Sequence, residues 1–563
     1  MSLNLEVGQD PSLDDVFHES YNYDSGDSDD STNDLEEEGY SGDEIDEDEV
    51  DTSSSDEVAE ESISKQNDIK LGISEAQARE NYLAAGTEVE EEDDHITVAA
   101  NSHLIIPEVD VLLERIVKEI NLPYKLSDFQ RLAINTACDF KNIILISPTG
   151  SGKMDVPLLS ALVMRERLDI KDGVTIITQP LTSIMNQKMN NSRICEVAVL
   201  SMTGQLKTSC SRDEDADLSC DVLDLLNGKY PVLIGHPESF DSPLGQHLLR
   251  ELQRRERLIC VCIDEFHQGG QGHWNTFRPD MMKMSTGLRL YGVPNCPSIC
   301  MTATATNDEI KEVIKALGLR TEPVVLAATP VQPHIKFSVV RRPSNNFGLE
   351  GTVNMKGVRN PGLLDLLERV YLRQFVEDLR DGKEPKKAII FCRGNGVLGA
   401  IYSHIMKLTH GKFKDCRTSP FVMNHSCLLP PTEKVLTERA SEISLYLSSN
   451  KMLLGIDLPK IDFVIFLRPY NQLAALVQGG GRGGRRMENG MRRKVQVYQF
   501  FNSQDFTSQN KLMSPDMQRT CISEECTRDL LRDYFAANSA PHEAAQDPSH
   551  CCHNCDMRRL KNA

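Results

Sequence analysis

Between residues 107 and 123 the chain reads PEVDVLLERIVKEINLP, and its apolar side chains Val109, Leu112, Leu113, Ile116, Val117 and Ile120 recur at short intervals. Intervals of three and four gather them on one side of a helix. Pro107 suits the first helical position, where its missing N–H goes unnoticed, and Pro123 ends the element. Beyond it the pattern changes to short, wholly apolar runs: NIILI at 142–146, VTIIT at 174–178, PVLIG at 231–235, LICVCIDE at 258–265 and SICMTATAT at 298–306. Runs of this kind, alternating with helical stretches, predict strands of a parallel α/β sheet. A second series, KKAIIFC at 386–392, MLLGI at 452–456, DFVIFL at 462–467 and VQVYQFF at 495–501, predicts a second sheet and hence a second lobe.

Ahead of the helix this patterning is missing. Residues 1–100 hold 33 acidic and 3 basic side chains, whereas the remainder holds 51 and 58, so the net charge of −23 belongs to the tail. The stretch SGDSDDSTNDLEEEGYSGDEIDEDEVDTSSSDE repels itself and has too few apolar groups to offset its chain entropy, so the tail is predicted to be disordered. It serves either as a solvated spacer or as a regulatory arm that is phosphorylated at its Ser-acidic sites or binds basic proteins. No apolar leader and no run of about 18 apolar residues occurs, so neither secretion nor a membrane span is expected. Sixteen cysteines without a leader predict reduced thiols, with any close cluster a metal candidate.

The first candidate chemistry is SPTGSGKMD at 147–155, directly after the strand NIILI. Phosphate loops of the form G-x-x-x-x-G-K-[ST] bring backbone N–H groups and a lysine to the phosphates and a hydroxyl to Mg²⁺. Thr149, Gly150, Ser151 and Gly152 supply the cradle and Lys153 the cation, but Ser147 replaces the first glycine and Met154 stands in the hydroxyl position. Alone, a Gly-Ser-Gly-Lys turn is more often a loop with a basic neighbour. In CIDEFH at 262–267, Asp264 and Glu265 end an apolar strand, where one carboxylate can hold Mg²⁺ and the other can activate an attacking water. MTATAT at 301–306 offers hydroxyls able to couple two lobes, and QGGGRGGRR at 478–486 offers Gln478, Arg482 and Arg485, of which paired arginines can stabilise charge at a γ-phosphate.

In this order the motifs have a joint specificity that none has separately, and the chain resembles the RecQ family of superfamily 2 DNA helicases from about 105 to 560. LSDFQ at 126–130, QPLTSIM at 179–185, QGGQGHWNTFRPD at 268–280 and MLLGID at 452–457 are similar to further family segments. The resemblance implies two RecA-like lobes at 101–325 and 326–505, a helical zinc-binding module at 506–563, and the acidic tail at 1–100. It implies that Gln130 reads the adenine edge, that Asp457 belongs to the nucleotide-binding set, and that His267 joins Asp264 and Glu265 in relaying a DNA-bound signal. Trp274, the only tryptophan, with Phe277 and Arg278 would form the aromatic-rich loop, where a ring can stack on an unpaired base. CTRDLLRDYF at 526–535 and HCCHNCD at 550–556 resemble the zinc module, with Cys552 and Cys555 at hairpin spacing and Cys526 as third thiolate. The family's fourth cysteine falls at Arg558, so His550, Cys551, His553 or Cys521 must replace it, Cys551 being the candidate retained.

Several departures bear on activity. A thioether at Met154 is a poor ligand for Mg²⁺, which prefers oxygen. Asp155 is a possible substitute, although it lies about 100° further around the helix. Ser127 occupies the position of the family's adenine-side arginine, and only eight residues follow Cys555, so the duplex-gripping winged helix is expected to be absent. The expected protein is a nuclear, ATP- and Mg²⁺-dependent, Zn²⁺-containing 3′-to-5′ DNA helicase of repair and recombination, acting on single-stranded and partly duplex DNA without a membrane. The alternatives are a degenerate nucleic-acid-binding protein that closes on ATP with little hydrolysis, and an RNA-dependent ATPase, which the aromatic loop and zinc module argue against.

Overall fold

The wholly apolar runs become the inner strands of two parallel sheets. In the first sheet the strands lie side by side in the order Leu206–Thr208, Val197–Leu200, Val232–Gly235, Val174–Thr178, Leu258–Asp264, Ser298–Thr302, Ile143–Ile146, Val324–Ala327. All neighbours are parallel except the outermost pair, Leu206–Thr208 against Val197–Leu200. The register sets Ile146 opposite Thr302 and Asp264 opposite Met301. Three adjacent strands therefore end at one level, and the loops after them share the crevice at the carboxyl edge, where parallel sheets bind ligands. The second sheet runs Ile335–Arg341, Val495–Phe501, Ile461–Phe466, Lys387–Phe391, Leu445–Ser448, Phe421–Asn424, all parallel.

The computed structural model describes residues 71–90 and 104–562, less 181–184, 186–191, 209–217, 267–286, 293–295, 318–321, 330, 344–348, 354–358, 393, 414, 416, 426, 450–451, 453–457, 459, 485–490, 507–512 and 536–549. Among the described residues no helix is long and apolar enough to cross a membrane. The predicted amphipathic helix is present as Pro107–Glu119, with Val109, Leu113 and Ile116 buried and Leu112, Val117 and Ile120 packed at the edge of the same core. The strand expected at 452–456 lies mostly outside the described residues. Three strands of the second sheet, Ile335–Arg341, Phe421–Asn424 and Leu445–Ser448, carry a weaker sequence signal, because Lys336 and Ser338 interrupt the first and the apolar runs of the other two are only three residues long.

One expectation needs correction. Residues 1–100 were assigned to a single disordered tail, yet residues 71–90 are folded. Helix Glu75–Ala84 is capped by Ser74 and buries Ala78 and Tyr82 in the second lobe's core, together with Leu71, Ile73 and Ala85. The Tyr82 ring stacks on Phe463 at 5.3 Å, and its hydroxyl donates to Asp378 at 2.8 Å. Averaged charge hid this stripe, since burial depends on which side chains share a face and not on the composition of the segment around them. Strand Glu88–Glu90 then pairs antiparallel with Met491–Arg493.

The C-terminal helices Pro515–Ile522, Thr527–Tyr534 and His553–Asn562 close over the edge of the second sheet. Cys552 forms a parallel bridge with Phe337 on the sheet's edge strand. The Arg528 guanidinium donates to the carbonyls of Gln332 at 3.0 Å and Ile335 at 2.6 Å. The segment that joins the two sheets is thereby held by the last part of the chain.

Candidate active site

The phosphate loop takes its shape from glycine. Gly150 and Gly152 have φ of 80° and 76°, in the left-handed region that a β-carbon disfavours. A β-carbon at Gly152 would also come within 2.5 Å of Gln130 Nε2 and 2.9 Å of Asp155 Oδ2. Lys153 Nζ donates to the carbonyls of Ser147 at 2.7 Å and Pro148 at 3.1 Å, which leaves the ammonium folded over the loop.

Around the loop, three residues flagged by the sequence have definite surroundings. Gln130 completes a capping box: its carbonyl accepts from the Ser127 N–H at 2.9 Å while Ser127 Oγ accepts from the Gln130 N–H. Its amide nitrogen donates to the Gly152 carbonyl at 3.1 Å, so the side chain ties the helix to the loop. Asp155 begins helix Asp155–Arg167, and its buried carboxylate accepts from the Tyr124 hydroxyl at 2.9 Å and from Gln130 at 3.4 Å. Met154 packs its side chain against the first lobe's apolar core. Asp155 Oδ2 is thus engaged by Tyr124 and Gln130, and the Met154 thioether brings no oxygen to the position of the missing hydroxyl.

Asp264 is buried at the end of its strand, with Oδ2 accepting from Gln179 Nε2 at 2.6 Å and Oδ1 from the Glu265 N–H at 3.0 Å. Burial, reinforced by the Glu265 carboxylate, pushes its carboxyl up to about 7, against the opposing pull of Lys153 and Gln179. Glu265 has φ 51°, an uncommon setting for a side chain larger than glycine, which costs on the order of 1–3 kcal/mol. In that setting its Oε2 accepts from Thr302 Oγ1 at 3.3 Å, and Thr302 Oγ1 in turn accepts from the Thr304 N–H at 3.2 Å. Gln478 of the second lobe donates to Thr304 Oγ1 at 3.1 Å. A continuous polar chain thus runs from Glu265 through Thr302 and Thr304 into the opposite lobe. Arg482 follows on the same turn and is buried. His267, Trp274, Phe277, Arg278, Asp457 and Arg485 lie outside the described residues.

At the C-terminus, Cys526, Cys551, Cys552 and Cys555 bring their sulfurs within 4.8 Å of one another. The Cys526 Sγ lies 3.6 Å from Cys551 Sγ and 3.9 Å from Cys552 Sγ. Four thiolates around tetrahedral zinc at about 2.3 Å would stand roughly 3.8 Å apart, so this donor set fits that ion. Of the other candidates for the fourth position, Cys521 is buried in the second lobe's core and His550 Nε2 is taken up by the His334 carbonyl at 2.8 Å. Arg558 donates to Cys555 Sγ at 3.1 Å and so sits beside the cluster as a counter-charge. Sequence reasoning missed Gln179, Tyr124 and Gln332 because isolated Gln and Tyr residues carry no periodic signal.

The comparisons with known proteins agree with this arrangement. A family profile described as DEAD/DEAH box helicase matches residues 127–313. Among curated proteins, ATP-dependent DNA helicase Q1 of Rattus norvegicus is 26% identical over 371 residues, 64% of this chain and 52% of that protein. ATP-dependent DNA helicase Q-like 4B of Arabidopsis thaliana is 25% identical, over 63% of this chain and 27% of that protein. The helicase SGS1 of Saccharomyces cerevisiae is 23% identical over 66% of this chain and 23% of its own length. The chain thus carries a DEAD/DEAH box helicase domain and is similar, over about two thirds of its length, to RecQ-family DNA helicases. It spans about half or less of the length of these curated relatives. Its fold is shared with the DUF1998 helicase MrfA bound to DNA, at a TM-score of 0.54 and 15% identity over 79% of this chain and 54% of that one.

In a site of this geometry Asp264 must ionise before it can engage Mg²⁺, because a proton and the cation compete for the same oxygens. The Mg²⁺ needed to half-saturate nucleotide binding should therefore rise about fivefold from pH 7 to pH 6, and Asp264→Asn should remove that dependence. Metal-free protein holds this proton more tightly than an unfolded chain does. Through this group it is most stabilised in acid, and it loses that contribution as the pH rises to about 7.

Proposed function

We propose that this chain is an ATP-dependent DNA helicase of RecQ type, which couples hydrolysis to 3′-to-5′ movement along single-stranded DNA and to the opening of duplex. The observation that carries the reading is the contact of the second lobe with both halves of the cleft: Gln478 reaches Thr304, and Gly481 abuts Thr149 of the phosphate loop. A nucleotide held there touches two lobes, so its binding and hydrolysis can open and close them.

In this reading Lys153 and the loop amides from Thr149 to Gly152 bind the phosphates, aided by the positive end of helix Asp155–Arg167. Asp264 would hold Mg²⁺, which neutralises charge on the phosphate oxygens when bound. Glu265 positions the attacking water, and its hydrogen bond with Thr302 links that water's orientation to Thr304 and Gln478. Arg482 and Arg485 face the γ-phosphate as transition-state cations. Trp274, Phe277 and Arg278 contact unpaired bases, with His267 passing that contact back to Asp264 and Glu265. Cys526, Cys551, Cys552 and Cys555 hold Zn²⁺ as a closed structural site. A nuclear location accords with DNA as the partner.

A second reading, a protein that closes on ATP with little turnover, is favoured by one observation, the half-buried Met154 side chain packed against the core where a hydroxyl is expected. Steady-state hydrolysis separates the two. Single-stranded DNA should stimulate turnover more than single-stranded RNA does, and Lys153→Ala should abolish nucleotide binding. Parent-like binding in that variant would remove the nucleotide from this loop. Equal or greater stimulation by RNA would favour an RNA-dependent ATPase, and no stimulation would favour the passive binder.

Loss of one metal-ligating oxygen commonly costs on the order of 10²-fold, about 2.7 kcal/mol of barrier. Met154→Ser should raise the turnover number by up to that factor and lower the Mg²⁺ concentration at half-maximal rate. A serine that changes neither quantity would mean that another oxygen already fills the position.

A further inference from the structure

The folded segment that follows the acidic tail reaches toward the phosphate loop through three successive contacts. Strand Glu88–Glu90 pairs with Met491–Arg493, setting Val89 opposite Arg492. Two further backbone hydrogen bonds lock the pairing, Gly86 N–H to the Lys494 carbonyl at 2.7 Å and Lys494 N–H to the Thr87 carbonyl at 2.9 Å. Gly86, with φ 73°, lies so close that a β-carbon there would stand 2.6 Å from both Arg493 Nη2 and Asp462 Oδ1, the two partners of a 2.8 Å ion pair. The backbone of residue 492 is fixed from both sides by these contacts.

From that backbone Arg492 Nη1 donates to Gln332 Oε1 at 3.2 Å, and Gln332 Nε2 donates to the Thr149 carbonyl at 3.0 Å. Gln332 is buried, and its own carbonyl accepts from Arg528. Its position is therefore defined at backbone and side chain alike. In a trans peptide the C=O and N–H point in opposite directions. A Thr149 carbonyl held toward Gln332 turns the Gly150 N–H away from the linker, and the direction of such N–H groups is what a phosphate loop uses to bind anions.

We infer that Gln332 is a positioning residue for the phosphate loop, held in place by Arg492 and, through strand pairing, by residues 86–90. This rests on the proposed function in that it takes the loop of Thr149 to Lys153 as the nucleotide site. The role suits glutamine, which can accept from the guanidinium and donate to the carbonyl at once. Methionine has a similar length and can do neither well.

The test is titration of the full chain with a fluorescent, non-hydrolysable ATP analogue in the presence of Mg²⁺. Gln332→Met should weaken binding about fivefold, the worth of one hydrogen bond at the loop. Arg492→Met should weaken it about two- to threefold, and Arg492→Lys, which keeps a donor for Gln332 Oε1, should recover most of that loss. Val89→Pro, which breaks the pairing while leaving helix Glu75–Ala84 in the core, should match Arg492→Met, whereas deletion of residues 1–70 should leave affinity unchanged. Parent-level affinity in Gln332→Met would overturn the relay, as would an Arg492→Lys variant as weak as Arg492→Met. Lys153→Ala separates this failure from a wider one: if it alone loses affinity, only the relay is wrong, and if it also binds normally, the loop is not the nucleotide site.

Discussion

A β-carbon at Gly481 would overlap Thr149 Oγ1, so the second lobe comes down on the phosphate loop so closely that any larger residue must displace the Thr149 side chain. Much of the cleft depends on that approach. Gln478 lies one helical turn earlier and meets Thr304, and Arg482 is the next residue along. Gly483 is also closely packed, since a β-carbon there would stand 2.6 Å from Val495 Cγ1. Glycines at 481 and 483 thus let the segment sit tightly between its own sheet and the opposite lobe.

Two polar links at the cleft among the described residues are of ordinary strength. Gln478 to Thr304 and Gln332 to Thr149 are neutral hydrogen bonds, each contributing about 1 kcal/mol net. A closure held by contacts of that size is reversible, which a motor requires, since a nucleotide can shift an equilibrium only by its difference in affinity for the two states. The stiffness lies within each lobe instead. Eight strands order one carboxyl edge, and six strands with helix Glu75–Ala84 and the Cys-bearing helices order the other.

Features with a dense local pattern were legible in the sequence. The wholly apolar strands, the Gly-Ser-Gly-Lys turn and the acids after LICVCI each announce themselves within a few residues, and so the first lobe's site could be drawn early. The cysteine cluster was legible by spacing, although only the fold shows Cys551 beside Cys526 with His550 turned to a backbone carbonyl. What escaped depends on distant partners. The burial of Ala78 and Tyr82 is set by Phe463 and Tyr371, and the tasks of Gln130 and Gln332 are set by carbonyls far along the chain. Met154 and Asp155 show the same limit, since a helix start fixes the order of side chains but not which finds the core and which finds Tyr124.

The central claim is that catalysis needs the second lobe seated on the phosphate loop, with nucleotide binding itself resting mainly on the first. Replacing Gly481 by alanine tests it most directly, because the added methyl group opposes closure and leaves Lys153 and Asp264 untouched. Turnover in Gly481→Ala should fall by on the order of 10²-fold, comparable to the loss of a transition-state contact, while affinity for a non-hydrolysable ATP analogue stays within about threefold of the parent. Turnover at the parental rate would contradict the account, since the lobes would then have no need to meet at Thr149.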